Sequence, residues 1–372
     1  MPKILFYVFN LPYLIQDNGK PVGGATVQIY SWLNGLKEIN NKAAILTFKG
    51  ASQLIGEQNI FDVVETYNKS EGLPLLKWIT ARIPSIISGI KKYKPDYLIR
   101  FGAGFESGLA AILGKILKIP VIIRIANDID TDDRIKKTKS FFDRLMFSYS
   151  LKNSFLIVCQ NNYQLEQLTK KYPEKKIIVL KNPFISKHDI PILQFNERKY
   201  IAWIGIFSRQ KNLRLLYEIA KQNVQFEFRV AGKSLPTTVL EVEEDLELLK
   251  KLPNVKMAGF LTRKEIPDFL SKAFFLLNTS HYEGFSNTFL EALSAGTPIV
   301  TLKQNDPDSF IQNNKLGYII NEKGELNIQE ILRSWEDKYD SLVKDCRDYL
   351  IKHHSPESLA QQLVSYLNQY SN

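Results

Sequence analysis

The sequence predicts an α/β chain made of two doubly wound domains. Three observations carry that prediction. Short apolar runs alternate with amphipathic stretches over residues 1–180, a break rich in Asn and Pro covers 182–198, and the same rhythm restarts at Tyr200. Strand-length runs alternating with helix-length stretches imply a parallel sheet covered by helices. The chain has 372 residues, and domains commonly run to about 150–200 residues, so two are expected. We place a first domain at 1–188, a second at 189–352 and a terminal helix at 353–372.

In the first half, Ile4–Phe9, Ala44–Phe48, Tyr97–Phe101, Val121–Ile125, Phe155–Cys159 and Ile177–Leu180 read as strands. Helices are expected near 24–38, 75–93, 105–118, 139–152 and 161–171; Ala25, Ile29, Leu33 and Leu36 form one face of the first. In the second half, strands are expected at Tyr200–Gly205, Phe226–Ala231, Val255–Met257, Phe274–Leu277 and Ile299–Leu302. Helices fall between them at Asn212–Lys221, 237–251, 263–272 and Asn287–Ala295, with further ones near 308–313 and 327–337. The last, Pro356 to Tyr370, has Ser355 as cap, Pro at its first position and Leu359, Leu363 and Leu367 on one face. Two such domains, each binding at the C-terminal ends of its strands, are expected to face each other across a cleft.

Composition narrows the class. Hydrophobic residues make up 44% and charged residues 24%, the balance of a globular chain with a sizeable core. The two cysteines, Cys159 and Cys346, are far apart in sequence, which argues against a disulfide scaffold and for a reducing, cytoplasmic setting. The apolar start, Ile4 to Phe9, reads as a first strand rather than a signal peptide, and no apolar run approaches a membrane span. The four histidines form no metal-like cluster, so no metal or other cofactor is expected. Nothing resembles a nucleic-acid module. Residues 1–190 carry 27 Lys and Arg against 16 Asp and Glu, so the net charge of +10 resides in the first half. That excess favours anionic partners, with general solubility as the other reading.

The most informative stretch is Phe274 to Thr301, FFLLNTSHYEGFSNTFLEALSAGTPIVT. It reads as strand, loop, helix and strand, with Gly296 and Pro298 ending the helix. A loop entering a helix N-terminus presents N–H groups and partial positive charge to a phosphate. Glu283 in the loop and Glu291 about one turn into the helix flank that position. A phosphate repels carboxylates, but hydroxyls on sugars to either side of it would donate to them. The ligand this chemistry describes is a sugar–phosphate–phosphate–ribose.

The pair Glu283 and Glu291 in the frame GFSNTFLEA, with LLNTS before it and AGTPIV after it, resembles the E-x7-E motif of the retaining glycosyltransferases of family 4. The resemblance covers nearly the whole chain and implies a GT-B fold, whose terminal helix packs back on the first domain. It assigns Glu291 to the nucleotide ribose, Glu283 to the donor sugar's hydroxyls, and Gly284, Phe285, Ser286, Asn287 and Thr288 to the diphosphate loop. It gives Gly23 and Gly24, at the start of the first helix, a diphosphate contact; a plain flexible turn is the alternative. Lys211 matches the family's phosphate-binding lysine, but the arginine that usually follows the strand glycine is replaced by Ile206. Arg209 is a candidate substitute, and both cations also read as a solvated helix start. Electrostatic stabilisation of the leaving diphosphate is the main need of such chemistry.

The family's histidine after the strand Val121–Ile125 is absent; the chain reads Arg124-Ile125-Ala126-Asn127-Asp128. Asp128 is a candidate acceptor-side group, with loop capping as the alternative. That segment, together with Asp306-Pro307-Asp308, is similar to members that act in bacterial surface polysaccharide synthesis. Gly102-Ala103-Gly104-Phe105-Glu106-Ser107 nearly fits a dinucleotide fingerprint but lacks the third glycine, and a tight strand-to-helix turn explains it better. Leu75–Lys94 and Arg134–Lys152 mix basic with apolar residues, which suits either an anionic membrane surface or core faces with solvated lysines. The expected function is transfer of a sugar from a nucleotide diphosphate sugar to a glycan or lipid-linked hydroxyl. A non-catalytic binding subunit and a same-fold sugar-nucleotide epimerase are the alternatives.

Overall fold

The computed structural model describes all residues except 17–22, 59, 69, 72–76, 187–189, 237, 322–324 and 370–372. The chain divides into two compact units, one of Met1–Ile185 with His354–Asn372 and one of Ser186–His353. The boundary expected at 188/189 lies outside the described residues, as do Pro21 and Val22, residues 75 and 76 of one expected helix, and Tyr370.

Unit 1 is built on seven parallel strands: β1 (Ile4–Tyr7), β2 (Ala43–Thr47), β3 (Asp62–Glu65), β4 (Tyr97–Phe101), β5 (Val121–Arg124), β6 (Leu156–Cys159) and β7 (Ile177–Val179). Their order is β3-β2-β1-β4-β5-β6-β7. Strands β1, β5 and β6 are buried along their whole length, which explains their unbroken apolar runs. Strand β3 carries no such signal: Asp62-Val63-Val64-Glu65 is a half-exposed edge with charge at both ends.

The terminal helix Pro356–Gln369 belongs to unit 1. Its Leu359, Leu363 and Leu367 are buried in one core with Ile29, Trp32 and Leu36 of the helix Gly24–Glu38. The contact is close. A Cβ at Gly35 would lie 2.1 Å from the carbonyl oxygen of Pro356, so only glycine lets the two helices meet there.

Unit 2 holds β8 (Tyr200–Phe207), β9 (Phe228–Ser234), β10 (Val255–Gly259), β11 (Ala273–Asn278), β12 (Ile299–Leu302) and β13 (Gly317–Ile320). The order β10-β9-β8-β11-β12-β13 reverses direction between β8 and β11. That reversal is a topological switch point, where the loops leaving two adjacent strands part and open a crevice. Gly205 and Gly232 sit opposite each other on β8 and β9, and a Cβ on Gly232 would fall 2.0 Å from the Gly205 carbonyl oxygen. Strand β13 and the helix Tyr339–His354 are additions to the elements expected from the sequence; Gly317-Tyr318-Ile319-Ile320 is short and half-exposed. Each unit is thus a Rossmann-like parallel sheet with helices on its faces.

Candidate active site

The loops leaving β8 and β11 at the switch point carry Lys211 and Glu283. Strand β8 ends in a single turn, Arg209–Lys211, and Asn212 then adopts left-handed backbone (φ 50°) while its side chain caps the helix Leu213–Gln222 by accepting from Leu215 N–H. Asn tolerates that conformation better than other non-glycine residues and caps well, which explains the abrupt turn. The Lys211 stem passes over Gly205, which has no side chain to block it.

Glu283 is 8% exposed, and its carboxylate is held at both oxygens. Oε1 accepts from Lys211 Nζ at 2.5 Å and from Ser280 Oγ at 2.7 Å; Oε2 accepts from Gln210 Nε2 at 3.4 Å. Gln210 also donates to the Tyr282 carbonyl at 3.0 Å and accepts from His281 N–H at 2.8 Å through its backbone carbonyl. Thr279 Oγ1 donates to the Lys211 carbonyl and accepts from the Trp203 indole. Two adjacent loops are thereby locked to each other with the carboxylate between them. A buried carboxylate with this many donors keeps one orientation, which a ligand's hydroxyls can read.

Beyond Glu283 the chain enters the N-terminus of the helix Asn287–Ser294. Ser286 stands at the cap with extended backbone, and its hydroxyl bonds the Thr288 hydroxyl at 2.8 Å instead of capping a backbone N–H. Phe285 fixes the entry: its ring stacks on Phe310 at 5.0 Å and meets Phe289 edge-on at 6.5 Å. Gly284, Phe285, Ser286, Asn287 and Thr288 thus follow Glu283 directly into the first turn. Glu291 lies one turn further, half-buried, with no hydrogen bond to its carboxylate among the described residues. Burial pushes its carboxyl up to about 7, against the opposing field of Arg263. Behind the site, Asn278 Oδ1 accepts from Ser280 N–H and Thr301 Oγ1, and Asn305 donates to the Ser280 carbonyl.

Arg209 is placed differently. It pairs with Glu241 at 2.9 Å with both side chains largely in solvent, so its charge is directed to the next helix and not to the Glu283 network. Ile206, at the position where the family pattern has arginine, lies half-buried on β8. The remaining expected residues are in unit 1. Gly23 caps the helix Gly24–Glu38 with φ −63°, and among the described residues no atom comes within 4 Å of a Cβ built there. Neither backbone strain nor packing demands glycine at 23. Asp128 Oδ1 accepts from Asn161 Nδ2 at 2.9 Å and Gln164 Nε2 at 2.8 Å, and burial pushes its carboxyl up to about 6. It therefore ties its loop to the helix Asn162–Lys171, as the capping alternative expects. Glu106 of the glycine-rich turn forms an ion pair with Arg100.

Gln210 and Asn305 belong to no motif that the sequence displays, and Ser280 enters it only as the last residue of the LLNTS run, with no role assigned. Gln210 becomes visible as a site residue only once β8 and β11 are known to be neighbours. Among the described residues no group of three or more His, Cys, Asp or Glu is placed to hold a metal ion. No helix among them is long and apolar enough to cross a membrane.

Comparison with known proteins agrees with this geometry. Residues 186–353, the span of unit 2, match the family model described as glycosyl transferases group 1. An uncharacterized glycosyltransferase of Methanocaldococcus jannaschii is 24% identical over 304 residues, covering 81% of this chain and 79% of that protein. The crystal structure of Anabaena HepE in complex with UDP-glucose aligns with a TM-score of 0.73 at 17% identity, over 99% of this chain and 100% of that one. Sucrose-phosphate synthase from Thermosynechococcus elongatus aligns with a TM-score of 0.72 at 14% identity, over 99% of each chain. Unit 2 is therefore a glycosyl transferases group 1 domain, and the chain as a whole has the GT-B fold.

Proposed function

We propose that the chain is a retaining glycosyltransferase of family 4 that moves a sugar from a nucleotide diphosphate sugar to a hydroxyl of a glycan or lipid-linked acceptor. The observation that carries this is the Glu283 carboxylate, held by Lys211, Ser280 and Gln210 at the switch point of unit 2, with the half-buried Glu291 following in the adjoining helix. Glu283 takes the donor sugar's hydroxyls, Glu291 takes the ribose hydroxyls, and the loop from Gly284 to Thr288 meets the diphosphate. Lys211 neutralises the leaving diphosphate; bound donor competes with Glu283 for its ammonium. We assign Gly23 and Gly24 a contact with the donor diphosphate on the resemblance to family 4 alone. The complex of HepE with UDP-glucose supports a nucleotide sugar as donor. No metal is needed, since Lys211 and the helix N-terminus supply the positive charge.

Surface-polysaccharide synthesis, at the inner face of the cell membrane, is the setting we assign. Phe141, Phe142 and Leu145 are 74%, 54% and 55% exposed beside Lys136, Lys137 and Lys139, which favours contact with an anionic bilayer. Asp128 is retained as an acceptor-side group. A second reading, a non-catalytic subunit, is favoured by Ile206 and by the engagement of Arg209 with Glu241.

Incubating the purified chain with nucleotide diphosphate sugars and hydroxyl acceptors separates the readings. The transferase releases nucleoside diphosphate only with an acceptor present, and proton NMR shows the donor's anomeric configuration preserved in the product. An inverted product would refute retention, donor conversion without acceptor would indicate an epimerase, and absence of turnover by the lone chain would favour the subunit.

A further inference from the structure

Unit 1 contains a cavity of about 440 Å3 in which none of the donor-site residues takes part. It lies between the short helix Ile135–Thr138, the helix Phe141–Asn153 and the helix Asn162–Lys171. That volume is within the range of small-ligand sites, roughly 300–1,000 Å3. Its walls are largely apolar, from Ile135, Phe141, Leu145, Phe147 and Leu168.

The polar groups in it are unusual. Asp130 lines the cavity and is only 8% exposed, yet among the described residues no side chain donates a hydrogen bond to its carboxylate. The Asn127 backbone and the field of Lys139 offset its burial incompletely, and the carboxyl is pushed up to about 6. Arg144, also on the lining, has a buried Nε with no hydrogen-bond partner among the described residues. Lys171 reaches the Thr131 carbonyl at 2.6 Å, and Ser148 and Tyr172 share a hydroxyl pair at 3.2 Å. The Asp130 carboxylate has one backbone N–H and no side-chain donor, and the Arg144 Nε has no hydrogen-bond partner among the described residues, so both keep hydrogen-bonding capacity that a ligand in the cavity would take up.

We infer that this cavity is a saccharide-binding site of unit 1, separate from the donor site, taking a sugar unit that carries a carboxylate or phosphate. The ionised Asp130 carboxylate is an acceptor only, and sugar hydroxyls are donors. Ile135 and Leu168 give the apolar faces against which a sugar ring packs, and Arg144 with Lys171 faces the anionic substituent. An apolar chain fits the walls but offers no donor to the remaining lone pairs of Asp130 and no acceptor to Arg144, which argues against lipid as occupant. The inference rests on the reading of the acceptor as a glycan and names its class: an acidic one, held by a sugar other than the one receiving the transfer.

The test is calorimetric titration of the full chain with cellobiouronic acid, with neutral cellobiose and decyl phosphate as controls. The acidic disaccharide is expected to bind, and cellobiose at least tenfold more weakly. Asp130→Asn should weaken both at least tenfold, and Arg144→Gln should remove the preference for the acidic disaccharide. No saccharide binding at millimolar concentration, or affinities unchanged in both variants, overturns the inference; binding of decyl phosphate alone assigns the cavity to lipid and also overturns it. UDP-glucose is titrated into the same samples. If it binds and the saccharides do not, the cavity inference fails alone; if the saccharides bind and it does not, the donor-site reading fails alone.

Discussion

Glu291→Gln gives the sharpest view of the donor site, because the carboxyl it replaces titrates near neutrality. Its folded-state value of about 7 arises from burial without a hydrogen-bonding partner among the described residues. Ribose hydroxyls prefer the carboxylate, so donor affinity should follow its ionised fraction. With that value, about nine-tenths is ionised at pH 8 and about one-tenth at pH 6. Affinity for UDP-glucose, which itself does not titrate in this window, should weaken about tenfold from pH 8 to pH 6, or about 1.4 kcal/mol. Hydrogen bonds to a charged group are worth about 1.5–3 kcal/mol, so Glu291→Gln should lose on the order of 10- to 100-fold at pH 8. The variant's affinity should also be flat between pH 6 and 8. Calorimetric titration at four pH values measures both quantities. Wild-type affinity that does not change with pH, or a variant that keeps the wild-type slope, refutes the assignment of Glu291 to the ribose. The sign for stability is opposite. The folded value lies above the ordinary 4.5, so this group's contribution to stability is fully present below 4.5 and lost as pH rises through 7.

Three further outcomes follow from the same structure. Lys211→Ala removes the cation 2.5 Å from Glu283 and next to the proposed diphosphate position, so kcat should fall on the order of 100-fold or more in steady-state assays, with Lys211→Arg rescuing little because a planar fork cannot take the same place over Gly205. Gly35→Ala places a Cβ 2.1 Å from the Pro356 carbonyl, and urea unfolding of unit 1 should show a loss of about 1–3 kcal/mol, whereas donor affinity, which we propose to reside in unit 2, should hold. Phe141→Ser with Phe142→Ser removes two rings exposed at 74% and 54%, and sedimentation with phosphatidylglycerol vesicles should show weaker binding but an unchanged melting temperature; equal partitioning would exclude this face as the membrane contact.

Much of the fold is legible because parallel strands buried on both faces leave unbroken apolar runs, as Ile4–Tyr7 and Phe275–Leu277 do. Two of the four edge strands, β3 and β13, leave no such mark, whereas β7 and β10 are expected from the sequence. Asp62–Glu65 and Gly317–Ile320 are half-exposed, each borders one neighbouring strand among the described residues, and their sequences carry charge or glycine where a core strand carries leucine. In the site, the order of residues from Glu283 to Glu291 can be read directly, since loop and helix are contiguous in the chain. The long-range partners of Glu283 cannot. Gln210 is 73 residues from Glu283 and meets it only because β8 and β11 are adjacent, and no local spacing encodes that adjacency. Arg209 shows the converse. Its type and its place beside Lys211 fit a phosphate ligand, yet its position in the turn aims it at Glu241.

The central claim is that unit 2 holds a nucleotide diphosphate sugar between Glu283, Lys211 and Glu291. A thermal-shift screen of the wild-type chain and Glu291→Ala against a panel of nucleotide sugars tests it most directly, because a ligand that binds only the folded state raises its melting temperature as occupancy rises. At least one donor is expected to raise the melting temperature of the wild type and to leave that of Glu291→Ala unmoved. Equal shifts in both proteins, or no shift with any nucleotide sugar, would contradict the claim.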